Sequence, residues 1–271
     1  MESPSMFDKA LKAFEIPTID GVREVNQVSF KLGDFNITLN LTTLIMTWIT
    51  MAILILLAYL GTRRLERFPS RGQSFVELII DAFDRLIADT MGPVGRRYFS
   101  LITTLFFFIL ISNWLSIIPI LKNPTADLNT TLGLGIMVFI IAQGSGVISK
   151  GVGGYLKGFF EPLFIAPFAF FINIAGEVGK TLSHSFRLFG NIFGGGLIML
   201  IIFAIPELLQ TAWCRLFGEF IGRSLYWGFL WPFCKILATV ILNAFFCIFV
   251  GSLQAFVFTI LAMAYITIAR D

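Results

Sequence analysis

Five residues carry chemistry that the rest of this sequence has to explain: Glu177, Lys180, His184, Arg187 and Asn191. They follow one another at intervals of 3, 4, 3 and 4 within 176–196, an otherwise apolar run. On an α-helix that spacing sets all five on one face, with Leu182, Phe186, Phe189 and Phe193 on the remaining surface. A charged side chain near mid-bilayer costs at least about 2.5 kcal/mol on insertion scales, so it faces a partner, a cavity or an ion path. Arginine keeps its proton at any accessible pH and cannot shuttle it. What Arg187 can do is hold a neighbouring carboxylate ionised, or block a proton leak by its field. The nearest carboxylate on the stripe is Glu177, ten residues away, so a partner from another protein is expected. A second polar line runs through Lys235, Thr239, Asn243, Cys247, Gly251 and Gln254, at intervals of 4, 4, 4, 4 and 3. Two long helices with one polar line each are expected to pair.

The elements that must position these residues are membrane helices. Of 271 residues, 56% are hydrophobic and only 14% charged, against about 25% charged in a soluble domain. Apolar runs of about 20 residues recur without the period-2 alternation of a barrel. The expectation is an all-α integral membrane protein of five to six helices. Residues 1–35 are polar and of mixed sign and read as an external arm, with no compact apolar stretch to suggest a cleaved signal peptide. The remainder, 36–271, reads as one membrane domain. A first span at 39–61 ends in Arg63, Arg64, Arg67 and Arg71, which makes that end cytoplasmic and the N-terminus external. Residues 72–91 read as an amphipathic interfacial helix, apolar at Phe75, Leu78, Ile79, Ala82, Phe83, Leu86 and Ile87 and charged on the other face. A helical hairpin over 98–149 follows, with Asn113 buried in its first arm as interhelical glue and a small-residue face of Gly133, Gly135, Gly144 and Gly146 in its second.

The run 163–205 is twice the length a perpendicular span needs, and its unbroken phase favours one long tilted helix over a hidden turn. A connection over 206–235 mixes Glu207, Arg215, Glu219 and Arg223 with tryptophans, as a membrane interface does. A second over-long helix occupies 236–268, and Arg270 closes the chain on the cytoplasmic side. The cysteines at 214, 234 and 247 have neither C-x-x-C nor metal spacing and read as buried thiols. The net charge of +3 is too small to argue for nucleic acid. No metal or cofactor site is expected.

The core Ser-Phe-Arg-Leu-Phe-Gly-Asn at 185–191, with Gly-Ser-Leu-Gln-Ala-Phe-Val-Phe at 251–258, closely resembles subunit a of F-type ATP synthases. Segment order and length agree over about 85% of the chain, from the first span to residue 269. The resemblance implies an ion-conducting stator subunit of the bacterial type, with two long tilted helices as a hairpin against a rotating c-ring. It also implies a peripheral stalk of subunit b or b/b′ as a further partner, and the cell inner membrane as the location, organellar inner membranes being the alternative. Arg187 then matches the family's essential arginine, Asn191 the asparagine one turn on, and Gln254 the glutamine facing that arginine. Two positions depart from the family: Gly196 stands where many members carry an acid, and Cys247 where a histidine or acid often stands. Candidates to replace them are Glu177, Lys180 and His184 on the first stripe, with Asn243 and Glu219 on the other side, where Cys247 is itself a half-channel candidate. The alternative readings are His184 as a core residue bonded to a neighbouring helix, Lys180 snorkelling to the headgroups, and Glu177–Lys180 as a structural i,i+3 pair. The chain has no G-x-x-x-x-G-K-[ST] loop, so no catalytic site of its own is expected. The competing class is an independent secondary transporter with Arg187 gripping an anionic substrate. That class predicts internal repeats, and no convincing repeat is present. An intramembrane hydrolase would need a nucleophile and base on one side, whereas Ser183 and His184 are adjacent and diverge on a helix. Whether protons or sodium ions are carried is not readable from this chain.

Overall fold

The computed structural model describes residues 27–32, 35–63, 71–118, 121, 123–160, 166–217 and 231–270. The membrane domain is all-α. Ahead of it stands one two-stranded antiparallel hairpin, β1 (Gln27–Leu32) and β2 (Phe35–Asn40), in register from Gln27 opposite Asn40 to Leu32 opposite Phe35. The hairpin straddles the end of the arm expected over 1–35 and the start of the span expected from 39, and there Val28, Phe30, Ile37 and Leu39 alternate with polar neighbours, which is the period of a strand.

The helices are α1 (Leu41–Thr62), α2 (Arg71–Met91), α3 (Phe99–Leu115), α4 (Leu128–Phe159, kinked at Gly151, φ +73°), α5 (Ala166–Phe217), α6 (Trp231–Asn243) and α7 (Gly251–Arg270). Four stretches are long and apolar enough to cross a membrane: Leu41–Thr62, Gly72–Leu115, Leu128–Phe159 and Ile236–Arg270. α5 does not reach that threshold over its described residues, where the polar stripe interrupts the apolar run.

α2 is amphipathic, as its spacing predicts. Phe83, Ile87 and Met91 are buried at four-residue intervals, whereas Phe75 and Leu78 are exposed. A 3₁₀ run, Gly92–Tyr98, turns the chain back on itself. Gly92 opens it at φ +64°, in the left-handed region that glycine enters without strain. Gly95 lies so close to Ile87 that a Cβ would fall 2.6 Å from the Ile87 side chain. The Phe83 ring therefore meets Phe106 at 5.0 Å and Phe107 at 5.8 Å, on the first half of α3.

The core lies where α3, α4 and α7 meet. Ile102, Leu105 and Ile109 come from α3, Val138 and Ala142 from α4, and Ala255, Phe258, Ala262, Met263 and Ile266 from α7. On α7 the buried positions recur at helical spacing, so one face is fully enclosed. The expected four-glycine face of α4 divides in two. Gly135 and Gly146 are packed so tightly that a Cβ would fall 2.0 Å from Ser185 Oγ and 2.6 Å from the Ala269 carbonyl, while Gly133 and Gly144 face open space. Close approach of α5 and α7 to α4 rests on the first two.

No turn interrupts α5 at Gly176, Gly179 or 194–196; it is one helix of 52 residues. At about 1.5 Å per residue it extends roughly 78 Å, more than twice a hydrocarbon core of about 30 Å. It also continues into the stretch read as a connection, through Phe217. Residues 1–26 and 218–230, with Glu219, lie outside the described residues. Between α6 and α7 the helix widens into a π-helical stretch, Ala244–Val250, which the periodicity did not reveal.

Candidate functional site

The stripe on α5 occupies about 80° of helix circumference at 100° per residue, and its position on the helix explains what each residue does. Leu188 and Ser185 face the core and are fully buried. The stripe lies along the edge where that core-facing surface meets the open one. His184, next to Glu177 on the inner side of the stripe, is 1% exposed. Glu177 and Asn191 are half-buried, and Lys180 and Arg187 are exposed at the outer edge. The five residues thus share a face without sharing a surrounding.

Arg187 has no ion pair or hydrogen bond among the described residues. Lys180 is different: its Nζ sits 2.7 Å from Glu177 Oε1, and Gln143 of α4 donates to Glu177 Oε2 at 3.0 Å. Glu177, ten residues and about three turns from Arg187, is therefore satisfied locally and leaves the arginine without an ion pair among the described residues.

The two polar lines meet one turn beyond Arg187. Asn191 Nδ2 donates to Gln254 Oε1 at 3.2 Å, joining α5 to α7. Gln254 is buried, and its own Nε2 has no hydrogen-bond partner among the described residues. The second line approaches through the π-helical stretch, where the Gly251 amide donates to the Phe246 carbonyl five residues back. Asn113 is the glue its burial on α3 suggested. Its Nδ2 donates to the Gly251 carbonyl at 2.9 Å, and its Oδ1 accepts from Thr125 at 2.8 Å. A Cβ on Gly251 would fall 2.8 Å from Asn113 Cβ, so glycine is what lets α3 and α7 touch here.

Two sets of cavities flank this junction. One, of ≈ 180 Å³, is lined by Asn113, Ser116, Asn191, Gly196, Asn243, Cys247 and Gln254 among others. Apart from the Cys247 thiol, its polar lining is neutral amides and hydroxyls. Cys247, read as a buried thiol, is a half-exposed free cysteine on this cavity, because the π-helical stretch presents it beside Gly195 and Gly196, which offer no side chain to cover it. The other, of ≈ 480 Å³, opens between the ends of α4 and α7 and the start of α5, with Lys150, Tyr155, Asn173, Glu177 and Lys180 on its walls. A small chamber of ≈ 10 Å³ continues it inward to His184, sharing Glu177, Lys180 and Tyr265. The two sets have no lining residue in common. Leu188, Ala255 and Phe258, each at most 1% exposed, fill the core near the junction.

The structure thus joins Asn191 to Gln254, one turn along α5 from Arg187, gathers Glu177, Lys180 and His184 at one cavity, and puts Asn243 and Cys247 on the other. Sequence reasoning did not single out Gln143, Asn123, Ser116 or Tyr265 as site residues. Each is a lone polar group on an apolar helix or in a loop, and only packing reveals what it faces. Among the described residues no cluster of His, Cys, Asp or Glu could hold a metal ion.

The comparisons with known proteins agree with one another. A family model described as ATP synthase A chain matches residues 44–267. The chain is 36% identical over 221 residues to "ATP synthase subunit a 1" of Pelobacter propionicus, covering 81% of this chain and 83% of that protein. It is 36% identical over 226 residues to "ATP synthase subunit a" of Moorella thermoacetica, covering 83% and 88%. The corresponding protein of Geobacter sulfurreducens is 35% identical over 221 residues. With matches running from the first span through the Asn191–Gln254 junction to the last turns of α7, this integral membrane chain belongs to the ATP synthase subunit a family.

Proposed function

We propose that this chain is the stator ion channel in the membrane sector of a rotary ATP synthase. It carries protons to and from a rotating c-ring through two offset half-channels, and the ion flow drives ATP synthesis on other subunits. A peripheral stalk of subunit b or b/b′ holds it against rotation. The location is a bacterial inner membrane, with the N-terminus outside and the C-terminus, at Arg270, in the cytoplasm.

The observation that carries this reading is an exposed Arg187, without an ion pair or hydrogen bond among the described residues, that stands on α5 between His184 on one set of cavities and Asn191 on another that shares no wall with it. In the proposed orientation the Asn243–Cys247–Gln254 cavity opens outward and the Glu177–Lys180 cavity inward. A carboxylate on the rotor, passing Arg187, is held ionised by the guanidinium and cannot carry its proton straight across. An ion then crosses only by entering one cavity, riding the rotor round, and leaving by the other. The driving force is about 2.3 kcal/mol per charge per 100 mV, which a continuous pore would dissipate.

Arg187→Ala is expected to abolish ATP-driven proton pumping in membrane vesicles while the complex still assembles. Lysine should substitute poorly, since it lacks the planar fork and loses its proton more readily when desolvated. Substantial pumping by Arg187→Ala at wild-type assembly levels would refute the stator role. Co-purification of a ring of small two-helix subunits separates this reading from a free-standing transporter.

A further inference from the structure

His184, the chain's only histidine, is fully enclosed, yet neither ring nitrogen has a hydrogen-bond partner among the described residues. A buried polar atom left unpaired loses its hydration with nothing in return, so an imidazole held this way calls for an explanation. The ring is held firmly: its centroid lies 3.7 Å from that of Phe258 and 5.4 Å from that of Tyr265. It also lines the ≈ 10 Å³ chamber at the inner end of the larger cavity, together with Glu177, Lys180, Thr181 and Tyr265. Measured at the water's centre, that volume is about the room for one molecule, which needs two to four polar partners. The His184 ring, the Thr181 hydroxyl and the Glu177 carboxylate can supply them.

We propose that this chamber is a single-water site and that His184 is the innermost proton-exchanging group of the Glu177–Lys180 cavity. The inference rests on the reading of that cavity as a half-channel. The step is a simple exchange: a hydronium at the site gives its proton to an unprotonated ring nitrogen and remains as water, and the reverse step returns the proton. The ionisable groups that face or neighbour the ring are Glu177, Lys180 and Arg187 on α5 and Tyr265 on α7. From α4, the chamber is lined by Gly135, Val138, Phe139 and Ala142, none of them ionisable. The Glu177 carboxylate at the chamber's mouth favours the incoming proton, and the Lys180 ammonium bound to it limits how long the charge stays. A phenylalanine in place of His184 would keep the packing on Phe258 and remove the exchanging group. A glutamine would keep a partner for the water but not the basicity.

The test uses the whole complex in inverted membrane vesicles. ATP-driven proton pumping is measured across a range of cytoplasmic-side pH for wild type, His184→Gln and His184→Phe, each normalised to assembled complex. Pumping lower by about tenfold or more in His184→Phe, with the pH profile of His184→Gln changed in shape, supports the proposal. Wild-type pumping by His184→Phe overturns it. So does slowing in either variant with an unchanged profile, since that assigns His184 to packing alone. A cysteine at Glu177 separates this inference from the reading beneath it. If that cysteine is labelled from the cytoplasmic side while the His184 variants are silent, only the relay falls. If it is not labelled, the half-channel falls with it.

Discussion

Arg187 and Lys180 show how one helix face assigns opposite roles to two cations. Lys180 is neutralised by Glu177 at 2.7 Å on its own helix, whereas Arg187 projects from the outer edge of the stripe with no ion pair among the described residues. A locally paired lysine suits the wall of a water-filled cavity, and an unpaired arginine suits an encounter with another chain. Glu177 is further held by Gln143, so the pair is fixed from α4 as well. Glu177→Gln keeps the shape and the Gln143 contact region but removes the charge. It should slow ATP-driven pumping severalfold while assembly is unchanged, and an unaltered rate would remove Glu177 from the ion path. These identities were legible in the sequence because a charge on an apolar helix is conspicuous. Burial was not legible. His184 and Arg187 are three residues apart on the same stripe, and only the packing of α4 and α7 makes one enclosed and the other open.

At the scale of elements, the helices follow from apolar runs and their stops, and α2 from its four-residue spacing of Phe83, Ile87 and Met91. The length of α5 was also within reach, since nothing in 163–205 interrupts helical phase. Two features were not legible for a physical reason. The β1–β2 hairpin carries strand alternation, but what fixes it is pairing between two segments, which the residue types of neither segment state. The π-helical stretch Ala244–Val250 changes hydrogen bonding from i→i+4 to i→i+5 without changing residue type. Such stretches recur at functional sites, and this one lies on the cavity with Phe246, Cys247 and Val250 on its wall. Phe246 packs on Gly195, where a Cβ would fall 3.0 Å from the ring. Deleting one residue within the stretch, for instance the exposed Phe245, should restore an ordinary helix and rotate α6 by about 100° against α7. Asn243 would then turn off the cavity, with Asn113 still anchored at Gly251. Pumping should be lost while the complex assembles. Retention of pumping, or loss of assembly together with the α3–α7 contact, would show that the π-helical stretch does not aim this wall.

For the whole molecule, what matters is that the two cavities are reached from opposite ends. The ≈ 480 Å³ cavity lies among Lys150, Asn173, Ala269 and Ile268, near the last turns of α4 and α7 and the first of α5. The ≈ 180 Å³ cavity lies by Ser116 and Asn123, after α3 and before α4. Since α3 and α4 run in opposite directions, the end of α4 and the α3–α4 link belong to opposite ends of the bundle. Thr43 Oγ1 donates to Asp127 at 3.0 Å, tying the start of α1 to that same link. If the arginines after α1 mark the cytoplasm, the Cys247 cavity faces outside and the Glu177 cavity inside. Thiol chemistry reads this directly. With Cys214 and Cys234 replaced by serine, Cys247 should react with small water-soluble thiol reagents added from the external side, and the modification should slow transport. In a chain whose native cysteines are all replaced, a cysteine at Glu177 should react preferentially from the cytoplasmic side. Reaction of both from one face would mean a single vestibule instead of two half-channels. An inert Cys247 would place the outer ion path away from α6 and α7, and Arg187 would then have to guard a route on another surface of α5.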